Sequence, residues 1–117
     1  MATTRNVRVK WTGKDKGKAK RAVAVGPLAT KDPKATRPFT VLSQSGVPLQ
    51  LGIYRLDWVF VGTKAGEVAS LDIEQQTEAD WAKIASDGPQ TVSNASSRVG
   101  SGPNAPAGYK PVFFVVS

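Results

Sequence analysis

The chain has 117 residues, 40% of them hydrophobic, with 11 Gly, 8 Pro and a net charge of +7 from 16 Lys and Arg against 9 Asp and Glu. A chain of this length reads as a single domain, 1–117, with room for one modest core. Cys and His are both absent, which removes disulfides, thiolate nucleophiles, zinc clusters and imidazole acid–base chemistry, so no enzyme, cofactor or metal is expected.

From the N-terminus, Val7, Val9 and Trp11 alternate with Arg8 and Lys10, the period-two pattern of a half-buried strand. Residues 12–20 carry two Gly and no large apolar side chain, and β character resumes with Val23 and Val25. A basic hairpin over 5–25 with a nine-residue cationic loop is the simplest reading. Pro27, Pro33 and Pro38 mark a connector, and Phe39–Leu42 reads as a short strand.

Between Val47 and Ile73 the apolar phase flips. Leu49, Leu51 and Ile53 occupy odd positions, and Leu56, Trp58 and Phe60 even ones. A one-residue slip reverses every side chain, so a bulge or a tight bend between two strands is expected near Gly52. Thr63-Lys64-Ala65-Gly66 reads as a hairpin turn into a strand containing Val68, Leu71 and Ile73.

A short helix is predicted over about 78–86. Thr77 and Asp80 have capping-box spacing, Trp81, Ile84 and Ala85 follow at i, i+3 and i+4, and Gly88-Pro89 would terminate it. Residues 88–108, rich in Gly, Ser and Pro, read as an extended segment. Val112-Phe113-Phe114-Val115-Val116 closes the chain as a strand expected to be covered on both faces. The fold class is therefore mainly β: a small β-sandwich or partly open barrel of six to seven short strands with one helix.

The charge is segregated. Residues 1–38 hold eleven Lys and Arg against Asp15 and Asp32, whereas residues 39–117 hold five basic groups against seven acidic ones. Such a dipolar chain attracts acidic surfaces and can pair one copy with the next. The candidate partner-binding residues are Arg5, Arg8, Lys10, Lys14, Lys16, Lys18, Lys20 and Arg21. They suit acidic subunits of a larger assembly, with nucleic acid as the alternative partner through phosphate neutralisation. Base-stacking aromatics are sparse there, Trp11 being the one nearby.

The run from Gly13 to Lys18 is not a phosphate-binding loop. Its glycines are one residue too close, and Ala19 stands where a hydroxyl is required. Asp57, Asp72 and Glu74 read as ordinary acids on a wet sheet face, and Trp11, Trp58 and Trp81 as core or core-edge residues. No apolar run is long enough for a membrane span, and Met1–Arg5 lacks the apolar segment of a secretory signal.

In its Cys-free and His-free composition, its basic arm from Arg5 to Arg21 and its Ser/Gly/Pro segment from Ser93 to Gly108, the chain resembles the small virion structural proteins of tailed bacteriophages, the head cement or decoration class. That resemblance implies a multi-copy or homo-oligomeric structural role in a virion, after synthesis in the host cytoplasm. A cytoplasmic protein is the alternative.

Overall fold

The computed structural model describes residues 3–14, 20–27, 40–101 and 112–117. Among them are nine strands, where six to seven were expected, and no helix: β1 (Thr4–Trp11), β2 (Lys20–Pro27), β3 (Thr40–Val41), β4 (Val47–Gln50), β5 (Gly52–Val61), β6 (Val68–Gln76), β7 (Trp81–Thr91), β8 (Arg98–Ser101) and β9 (Val112–Val116). They form two antiparallel sheets. The first has the order β4-β1-β6-β7; the second has the order β3-β2-β5-β8, with β9 also paired to β5.

Alternation explains the shared core. Val7 and Val9 of β1, Val23 and Val25 of β2, Tyr54, Leu56, Trp58 and Phe60 of β5, and Leu71 and Ile73 of β6 all turn inward and join one buried cluster. Trp11 meets Trp58 edge-to-face at 5.9 Å between ring centroids, linking the sheets. The Trp58 indole donates across to Asp87 Oδ2 at 2.7 Å.

Both seams between the sheets carry hydrogen bonds. On one side the chain leaving β3 serves each sheet in turn: Leu42 N–H donates to the Val23 carbonyl at 3.0 Å and Val9 N–H to the Ser43 carbonyl at 3.1 Å. On the other side two side-chain amides imitate strand pairing. Gln90 accepts from Gly100 N–H at 2.9 Å and donates to its carbonyl at 3.1 Å. Gln75 does the same with Ser117, at 3.2 and 2.6 Å. Gly100 has φ +152°, and a Cβ there would lie 2.1 Å from the Trp58 carbonyl oxygen, so only glycine fits this approach.

The helix expected over 78–86 is a strand. Thr77 Oγ1 does accept the Asp80 N–H at 3.0 Å, as in a capping box, but Thr77 N–H also donates to the Asp80 carbonyl. These bonds close a tight β6–β7 turn, with Gln76 opposite Trp81. A register shift beside Ile73 then lets Ile84 and Ala85 both touch the core, which reproduces helical spacing on a bulged strand. Gly88-Pro89 lies inside β7 with a cis peptide bond.

Four further expectations need correction. β1 and β2 do not form a hairpin over 5–25, since they belong to different sheets. The 63–66 turn likewise crosses from β5 in one sheet to β6 in the other. The segment expected to be extended from 88 includes the end of β7 and all of β8, while 102–108 lie outside the described residues. β9 buries Phe114 and Val116 but leaves Phe113 51% and Val115 53% exposed, so it is covered on one face only. The expected bend is present: β4 and β5 meet at Leu51-Gly52 and pair in different sheets.

Candidate partner-binding surface

Strand direction decides where the cations gather. β1 ends, β2 begins, β5 ends, β6 begins, β7 ends and β8 begins at the same end of the molecule. Lys20, Val61 and Arg98 are consecutive cross-strand partners, which sets the two cations about 10 Å apart, two strand spacings. Lys64 lies in the adjoining turn, and Lys14 follows β1 with its carbonyl accepting from Val68 N–H at 2.8 Å. With Arg21, these exposed side chains make a cationic pole.

The pole rests on a hydrogen-bonded platform. Gly62 N–H donates to the Ser97 carbonyl and Ser96 N–H to the Gly62 carbonyl, at 2.9 and 2.8 Å. Gly66 N–H and the Val92 carbonyl pair at 2.8 Å, as do Val92 N–H and the Glu67 carbonyl. Beneath them the Glu67 side chain is fully buried. Its Oε1 accepts from Thr63 N–H and from Lys64 N–H at 2.8 Å, and the Thr63 hydroxyl donates to the same carboxylate at 3.1 Å. The buried Glu67 carboxylate therefore ties down the turn that carries Lys64.

The predicted site residues divide into groups. Lys14, Lys20 and Arg21 belong to the pole; Lys16 and Lys18 lie outside the described residues. Arg8 is engaged elsewhere: its guanidinium contacts Glu74 at 2.7 Å and stacks over Trp81 at 4.2 Å. Lys10 lies opposite Asp72 on the same outer face. Arg5 is at the far end, where it lines a shallow cleft with Glu78. Lys64 and Arg98 were missed, because neither stands in a basic run and only register brings Arg98 beside Lys20.

A second feature adjoins the pole. An open cleft runs beside β1 and β2, lined by Arg8, Lys10, Trp11, Arg21, Val41 and Gln44. Its aromatic wall has little free face. The Arg21 guanidinium lies 5.3 Å from the Trp11 ring centre, and Trp58 and Phe60 crowd the same indole. Trp81, expected near the core, stands on the outer face of the first sheet beneath Arg8.

On the outer face of the second sheet, Ile53 lies opposite Val115 and Arg55 opposite Phe113. Asp57 follows on the same face. Partial burial pushes its carboxyl above the ordinary carboxylate range, and neighbouring Arg55 pulls it the other way.

No group of three or more potential metal ligands occurs among the described residues, and no helix there is long and apolar enough to cross a membrane. Comparison with family models, curated proteins and solved structures finds no match.

Proposed function

We propose that the chain is a non-enzymatic assembly protein, a multi-copy cement, decoration or minor component of a viral particle that docks its cationic pole on acidic subunit surfaces. In this reading the two sheets form a small sandwich that serves as a rigid spacer, and its modest contacts gain strength by repetition in the particle. The observation that carries the reading is the convergence of Lys14, Lys20, Arg21, Lys64 and Arg98 on one end, above a buried Glu67. A pole of this kind raises encounter rates with acidic partners and loses strength in salt.

Acidic protein is favoured over nucleic acid because the tryptophans are already occupied. Trp58 is buried, Trp11 lies against Arg21, and Trp81 lies beneath Arg8. Sequence-tolerant nucleic-acid binding relies on open aromatic faces.

Two measurements test the proposal. Density-gradient particles from cells producing the chain should contain it in many copies by quantitative mass spectrometry; its absence from every particle fraction would refute the virion role. In parallel, Lys20→Glu with Arg98→Glu should abolish salt-sensitive binding to poly-glutamate, while equal binding by both forms would remove the pole from the contact.

A further inference from the structure

The cleft beside β1 and β2 has a chemistry different from the pole. Its floor and one wall are apolar: Val9 and Val23 are buried beneath it, and Val41 is 68% exposed along it. Its rim carries Lys10 and Arg21, with the Gln44 amide beside them and Arg8, paired with Glu74, at its margin. Beside β3, whose Val41 pairs with Ala24, the cleft runs along β2 past Val23 and Ala22 to Arg21 and along β1 from Arg8 to Trp11. The result is an elongated trough with apolar and cationic groups side by side.

The geometry points to this trough as the seat of an extended peptide segment in which acidic and apolar residues alternate, supplied by a partner protein. The inference rests on the assembly reading above and names its recognition element. Charge complementarity selects the occupant. Alternate side chains of an extended strand point to opposite sides, so one set can lie against Val41 and the Trp11 edge while the other reaches the Lys10 side of the rim. A nucleic-acid strand would find cations there but no open ring on which to stack. A purely anionic polymer would leave the Val41 wall unused.

The test uses the full chain and four fluorescent probes: a peptide alternating Glu and Leu, a Glu-only peptide, a peptide alternating Lys and Leu, and a single-stranded oligonucleotide. The Glu/Leu peptide should bind tightest by anisotropy. Val41→Glu and Gln44→Glu, both at exposed positions, should each weaken it about tenfold or more, as expected for opposing charge at a desolvated contact. Lys64→Gln, on the pole, should change it far less. Thermal melts establish that each variant is folded.

Equal binding of the Glu-only peptide, unaffected by Val41→Glu, overturns the trough while leaving the cationic pole standing. Tightest binding of the oligonucleotide gives the trough to nucleic acid and overturns the proposal. A chain that sediments as a dimer, ignores the peptides and becomes monomeric on Gln44→Glu assigns the trough to a second copy. Failure to bind any anionic probe rejects both the trough and the reading beneath it.

Discussion

A carboxylate withdrawn from water, as at Glu67, persists only where donors replace its hydration. Thr63 and Lys64 supply backbone N–H groups and Thr63 its hydroxyl. Glu67→Ala removes the acceptor and leaves the Thr63 and Lys64 N–H groups without their bond. We expect a loss of about 2–3 kcal/mol in urea denaturation, with the 63–67 turn showing faster amide exchange. Asp57 carries the opposite kind of demand. Its folded-state carboxyl holds a proton more tightly than the unfolded chain does, because burial outweighs the neighbouring Arg55. The favourable contribution of this group is therefore present at low pH and declines as pH rises from the ordinary carboxylate value through the raised one. Asp57→Asn should gain stability relative to the unmodified chain on going from acidic to neutral pH. A difference that stays flat across that range would show that Arg55 fully offsets the burial.

At the scale of elements, the β6–β7 hairpin shows how far local chemistry reaches. The Thr77–Asp80 bond was legible in the sequence, and it forms. Yet the same side-chain-to-backbone contact serves either a helix start or a tight turn, and a short amphipathic segment has little helical stability of its own. Pairing with β6 decides the outcome for 81–91, so far-UV circular dichroism should show a β-type spectrum without the helical double minimum. The strand then carries Asp87 to the Trp58 indole. Asp87→Ala should cost about 1–3 kcal/mol by stranding a buried donor, with a change in tryptophan emission. Asp87→Asn keeps an acceptor and should cost less. Equal losses in the two variants would show that the bond does not stabilise the contact between sheets.

Over the whole molecule, polarity is distributed by strand direction. The cationic pole lies at one end, Glu78 and Asp80 lie at the turn of the other, and exposed Ile53, Phe113 and Val115 share an outer sheet face. An apolar strip on a sheet face promotes association when the protein is concentrated or heated. Replacing Ile53 with Lys and Val115 with Thr should raise the onset temperature of light scattering while leaving the unfolding midpoint within a few degrees, as surface changes away from the core usually do. Unchanged scattering would show that this face does not drive association.

Composition and alternation were enough to establish a chain without thiol or imidazole chemistry, a mainly β fold, inward-facing Val7, Val9, Leu56, Trp58, Phe60, Leu71 and Ile73, and a break near Gly52. Those features are local: a period of two identifies which side chains share a face, and residue type determines the available chemistry. Tertiary structure decided which strands became neighbours. It separated β1 from β2, turned 81–91 into a strand, engaged Arg8 with Glu74, and set Arg98 beside Lys20. Alternation leaves the partner across a sheet undetermined, because that choice depends on how residues distant in the chain bury their apolar faces together.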